Sequence, residues 1–223
     1  MTRHVLFVRR ERASFTILEL MVAIAIISIL LSFLFPALKA ARERASMMSC
    51  LNNLRQIYVS MDIYANENEE RYPEARGVGT WGVTNSGWVG WLEALHPYLN
   101  SPKIYRCPGQ PLELENPYSY FLGCHAVYVA ITNTGTMKRS EITLSSQYIL
   151  AGDTTMPWGD PFDTDKDNYN ADCLFSTPGS AQRVARYHAG RANILFGDGH
   201  VKAYNEFVPL EMSYSYTQPG TDY

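Results

Sequence analysis

An α+β fold, with a long N-terminal helix packed on a C-terminal antiparallel sheet, is what this sequence predicts, and three observations carry it. Residues Phe15 to Leu38 form an apolar run whose only charged side chain is Glu19. Beyond it, Ala41, Ala45, Met48, Leu51, Leu54, Tyr58, Met61 and Ala65 recur at three- and four-residue spacing, the mark of a helix with one apolar face. Near the C-terminus, two runs of strand-forming residues flank the turn signal "GDG".

Each element follows from local chemistry. A helix from Phe15 to Leu38 would be about 36 Å long, enough to cross a hydrocarbon core of about 30 Å. A cleaved secretory signal fits less well, because its apolar part is usually about 7–15 residues and ends at a small-residue cleavage site. Arg3, Arg9, Arg10 and Arg12 precede the span and Lys39, Arg42 and Arg44 follow it; the basic leader is placed on the cytoplasmic side. Pro36 lacks an amide proton and is expected to bend the helix without ending it. Arg44, Asn52, Arg55, Asp62 and Asn66 fall opposite the apolar stripe, so the helix continues to about Glu67, roughly 80 Å in all. "NENEERYP" supplies the stop, with Pro73 just beyond.

The downstream residues predict a soluble head. Trp88 to Leu99 reads as a short helix, with Trp81, Trp88, Trp91, Leu92, Leu95 and Tyr98 packing beside the long one. "QYILAG" and "ANILFGDGHVKAY" carry the clearest strand signals; Asp198 and Gly199 suit a tight hairpin with positive φ, and "RVARYHAG" reads as one further strand. The divisions are 1–14 leader, 15–38 transmembrane helix, 39–70 amphipathic continuation and 71–223 α+β head. A net charge of −3 over 223 residues presents no basic surface, so no nucleic-acid partner is predicted.

A lone carboxylate in a membrane span costs roughly 2.5–3.5 kcal/mol on insertion scales, and so demands a partner. "RRERAS" followed by "FTILEL" resembles the prepilin signal of type IV pilins and type II secretion pseudopilins. The resemblance implies a prepilin peptidase/methyltransferase that cuts between Ser14 and Phe15 and methylates the Phe15 amine. Glycine is usual before that cut, and Ser14 stands there. It also implies that Glu19 pairs with the amine of a neighbouring subunit, setting axial register in a pilus-like filament of hydrophobic stems, with other pilin-like subunits and the lipid bilayer as partners. A pair of desolvated charges penalises wrong register more than it adds net stability. The location implied is the bacterial inner membrane, single-pass, with the head in the periplasm or outside the cell. The alternatives are a plain anchor with an incidental Glu19, or a processed, membrane-tethered envelope or binding protein that never polymerises.

"CLNNLRQIYVSMDIYANENEERYP", "YRCPG" and the spacing of His188 from Asp198 and Gly199 resemble the H-x9-DG group of pseudopilin-like bacterial proteins. The preferred reading places His188 beside Asp198 as a hydrogen bond pinning the hairpin. His125, Asp153, His188, Asp198 and His200 are also residue types of metal or hydrolase centres. No HExxH, GxSxG or compact ligand spacing joins them, so no enzyme is predicted. Asp163, Asp165 and Asp167 alternate like the first half of an EF-hand, but the glycine and closing glutamate are missing; no cofactor is predicted beyond a looser calcium site there, against the alternative of a solvated acidic loop. Cys50, Cys107, Cys124 and Cys173 all follow the membrane span and allow three complete disulfide pairings, with reduced buried thiols as the other option. Without a CxxC, zinc and thioredoxin-like chemistry gain little support from spacing.

Overall fold

The computed structural model describes residues 15–73, 91–99, 101–110, 119–123, 137–153, 187–206, 208 and 211–213. It divides into two compact units, residues 1–42 and 43–223.

The first unit holds the apolar part of helix α1, Ile17–Glu67, and Pro36 lies inside that helix without ending it. Its large apolar side chains, from Phe15 to Leu38, are exposed. The helix is long and apolar enough to cross a membrane. Ser28 and Ser32 turn their hydroxyls back onto the carbonyls of Ile24 and Ile29, each at 2.7 Å, so neither offers an unpaired donor to the hydrocarbon.

In the second unit, α1 buries Cys50, Leu51, Leu54, Ile57, Ser60, Met61 and Ala65. The stripe therefore centres on Cys50, Leu54, Ile57, Met61 and Ala65, while Met48 is exposed and Tyr58 half-buried. This shifts the expected face: Ile57 is central to it, and Ala41, Ala45 and Met48 are not part of it. The helix stops where Glu69 and Glu70 turn left-handed, at φ 55° and 62°, and the Glu70 amide donates to the Ala65 carbonyl. Residues 71–73 then run beside 137–139, with the Tyr72 amide on the Met137 carbonyl.

Arg139 secures that end. Its guanidinium pairs with Asp62, bonds Asn66 Oδ1 at 3.0 Å and lies 3.8 Å from Glu70. A cation near a helix C-terminus also complements the helix dipole. Both members of the Arg139–Asp62 pair are about a third exposed, which screens it. Arg139→Ala is expected to cost about 1 kcal/mol in chemical unfolding, with a smaller loss at high salt.

Strands β1 (Tyr120–Leu122), β2 (Ile149–Asp153), β3 (Ala192–Phe196) and β4 (Val201–Tyr204) form one antiparallel sheet in that order, with a register irregularity between Ile149 and Ala151. Side chains alternate between faces. Tyr120, Leu122, Leu150 and Leu195 join the α1 residues and Trp91, Leu92 and Leu95 in the main core, whereas Phe121, Ile149, Ala192, Ile194 and Phe196 form a second cluster. Gly152 sits where that second cluster closes, because a Cβ there would lie 2.6 Å from the Phe121 ring.

Two elements differ from expectation. The aromatic segment forms two single turns, Trp91–Ala94 and His96–Leu99, in place of one helix. The last four residues of "RVARYHAG" form a turn, with Ala189 and Gly190 at φ 52° and 83° and His188 pairing back to Arg191, while its first four lie outside the described residues. Trp81 and Trp88 lie outside the described residues.

Candidate functional site

Two places in the chain gather unusual chemistry. The first is the start of α1. Thr16 precedes the helix, and Glu19 occupies its third position. The Thr16 amide and hydroxyl both donate to Glu19 Oε2, at 2.9 and 2.8 Å, and the Glu19 amide donates to Thr16 Oγ1 at 3.2 Å. This is a reciprocal capping box: each residue satisfies the other's orphan amide at the helix start. Its signal, T-x-x-E ahead of an apolar run, was present in the sequence and gives Glu19 a partner within its own helix. Phe15 is 76% exposed beside it. Ser14 lies outside the described residues.

The second place is buried in the second unit. Cys50 comes from α1, Cys107 follows the 3-10 turn Pro102–Tyr105, Asp153 ends β2, and His188 begins the turn into β3. All four are at most 2% exposed, and their ligand atoms lie within 4.8 Å of one another. The Cys50 thiol donates to Asp153 Oδ1 at 2.9 Å; Cys107 Sγ lies 3.1 Å from His188 Nε2; and His188 Nε2 is 3.6 Å from Asp153 Oδ2. Backbone amides support two of them: Asn193 donates to Asp153 Oδ2 at 2.8 Å and Gly109 to Cys107 Sγ at 3.4 Å.

The electrostatics of this cluster divide its members. Hydrogen bonding from Cys50, helped by His188 and the Gly109 amide, lowers the Cys107 thiol to about 5 against the effect of burial. Burial, with the Asp153 charge and the Cys107 contact adding to it, pushes the Cys50 thiol well up. Burial also raises the Asp153 carboxyl to about 7, reinforced by the Cys107 charge. For His188, burial opposes protonation, but Cys107 and Asp153 outweigh it and raise the pKa.

The predicted residues are thus redistributed. His188 does not meet Asp198. They stand at opposite ends of β3, and a strand advancing about 3.3 Å per residue keeps them apart. Asp198 instead bonds the His200 amide at 3.1 Å and its Nδ1 at 2.6 Å within the β3–β4 turn, where the His200 ring stacks on Phe196. Gly199, at φ 85°, supplies the expected left-handed turn position, and its amide donates to the Phe196 carbonyl. Cys50 and Cys107 are buried free thiols, the reduced one of the two options that the sequence leaves open. Cys124, Cys173, His125, Asp163, Asp165 and Asp167 lie outside the described residues. Spacing rules missed the buried cluster because 138 positions separate its first and last members (188 − 50).

Comparison with known proteins bears on the first place. Residues 9–35 match the prokaryotic N-terminal methylation motif, and residues 39–107 match a family described as "Protein of unknown function (DUF1559)". Over 65 residues the chain is 34% identical to the type II secretion system core protein G of Aeromonas hydrophila, covering 29% of this chain and 45% of that relative. The match thus spans less than half the relative's length. No solved structure matches the chain. The methylation motif and this relative point to structural proteins of the pilin type and not to enzymes. With a membrane-length helix whose start matches the prokaryotic N-terminal methylation motif, and with residues 39–107 matching DUF1559, the chain is similar to proteins of the pilin type.

Proposed function

We propose that the chain is a prepilin-processed, pseudopilin-like structural subunit of a type II secretion or type IV pilus-like filament. A prepilin peptidase removes residues 1–14 and methylates Phe15. The stem holds the protein in the bacterial inner membrane until it joins its neighbours, with the head in the periplasm or outside the cell. The observation that carries this reading is the exposed apolar stretch from Phe15 to Leu38 with Glu19 as its sole charge, one turn from the new amine and inside the matched methylation motif.

Mass spectrometry of protein from native membranes is expected to find an N-terminal methyl-Phe15. Met1 still attached, with Phe15 internal, would overturn processing. Fibres sheared from cells are expected to contain the chain. Complete retention in the membrane would favour a tethered envelope protein, a second reading supported by the capping box: the Glu19 carboxylate already has partners in its own helix and needs no neighbour for them.

A further inference from the structure

We propose that Cys50, Cys107, Asp153 and His188 form a closed structural site for one zinc-class transition-metal ion, held by both Sγ atoms, His188 Nε2 and one Asp153 oxygen.

The donor set selects the class. Two sulfurs, one imidazole nitrogen and one carboxylate oxygen are poor ligands for calcium or magnesium and suit tetrahedral zinc. The dimensions agree. Zinc bonds of about 2.3 Å to sulfur and about 2.0–2.2 Å to nitrogen and oxygen give tetrahedral edges of roughly 3.3–3.8 Å. Cys50 Sγ to Asp153 Oδ1 at 2.9 Å and Cys107 Sγ to His188 Nε2 at 3.1 Å are shorter than such edges, His188 Nε2 to Asp153 Oδ2 at 3.6 Å falls among them, and all four ligand atoms lie within 4.8 Å of one another, so shifts of up to about 1 Å complete the tetrahedron.

Burial supplies the reason for an ion. Three acidic groups and an imidazole share one water-excluded spot, and a divalent cation compensates the charges that burial otherwise penalises. Binding releases the protons carried by the ligating atoms. The surrounding amides already orient the ligands: Asn193 fixes Asp153, and Gly109 holds Cys107. Gly109 also makes room for the imidazole, since a Cβ there would come within 2.9 Å of His188 Cε1. With all four ligands buried, no coordination position faces solvent, which marks a structural rather than a catalytic site. The ion would tie the helix, the loop after residue 105, the sheet and the turn into β3 to one point. It would also explain the histidine of the H-x9-DG pattern as a ligand.

The test uses the full chain purified in detergent. Elemental analysis is expected to find one zinc per chain. Chelation should lower the melting temperature, and added Zn2+, but not Ca2+, should restore it. Replacement by Co2+ should give the intense visible bands of a tetrahedral ion with a thiolate charge-transfer band, weakened by about half in Cys107→Ser. His188→Cys, which keeps a ligand, should retain binding, whereas His188→Leu should weaken Zn2+ at least tenfold. If a variant does not fold, the Co2+ spectrum of the unaltered chain decides alone. The proposal is overturned by an octahedral or absent Co2+ signal, by recovery with Ca2+ alone, or by a Cys50–Cys107 disulfide in protein taken from cells.

Discussion

A Glu19→Gln chain is expected to insert normally, to be processed, and to disappear from the sheared fibre fraction. Glutamine at the third helical position still serves a capping box, so Thr16 keeps its partner and the helix start is preserved. What changes is the charge. In a filament where this carboxylate meets a neighbour's amine, its loss leaves an uncompensated ammonium in hydrocarbon. Breaking one side of a buried pair costs about 3–5 kcal/mol, or roughly 10²–10⁴-fold in the equilibrium for adding each subunit. Thr16→Ala is the contrasting case: it removes the cap, at a cost of about 1 kcal/mol, while keeping the charge, and should still assemble. Fibres at ordinary yield from Glu19→Gln would confine Glu19 to capping and remove the case for register by charge.

Gly199→Val is expected to destabilise the second unit by about 3–5 kcal/mol, a large share of the roughly 5–15 kcal/mol that holds a typical domain folded. Two costs add. Valine at φ 85° is strained by about 1–3 kcal/mol, and its Cβ would lie 2.4 Å from the Tyr58 ring on α1, an overlap worth about 1–3 kcal/mol even after adjustment. A cycle with Tyr58→Ala separates them: the double variant should recover the steric part and retain the backbone part. Urea unfolding measures both. A loss below about 1 kcal/mol in the single variant would mean that the turn does not dock against Tyr58.

Features set by near neighbours in the chain are legible in the sequence. The long helix, its stop after Glu67 and the "GDG" hairpin rest on local periodicity and turn chemistry, and the structure contains all three. The T-x-x-E cap is equally local, and it satisfies Glu19 from three residues back, where the cost of a charge in hydrocarbon alone implies a distant partner. The end of "RVARYHAG" is a turn and not strand because Ala189 takes a left-handed conformation that β-propensity does not anticipate. Cys50, Cys107, Asp153 and His188 were individually visible as chemistry. Their meeting depends on α1 packing against the sheet beside the end of β2, a non-local event that no spacing encodes.

The five residues of β3 also act as a gauge between two anchoring points, the buried imidazole at one end and the turn under Tyr58 at the other. Adding or deleting one residue there would reverse side-chain parity, exchanging Asn193 and Leu195 of one face for Ala192, Ile194 and Phe196 of the second buried cluster; a change of two would restore parity but overshoot by nearly 7 Å. The nine-residue interval is therefore a length specification, and drift within it should be confined to exchanges of one side chain for another.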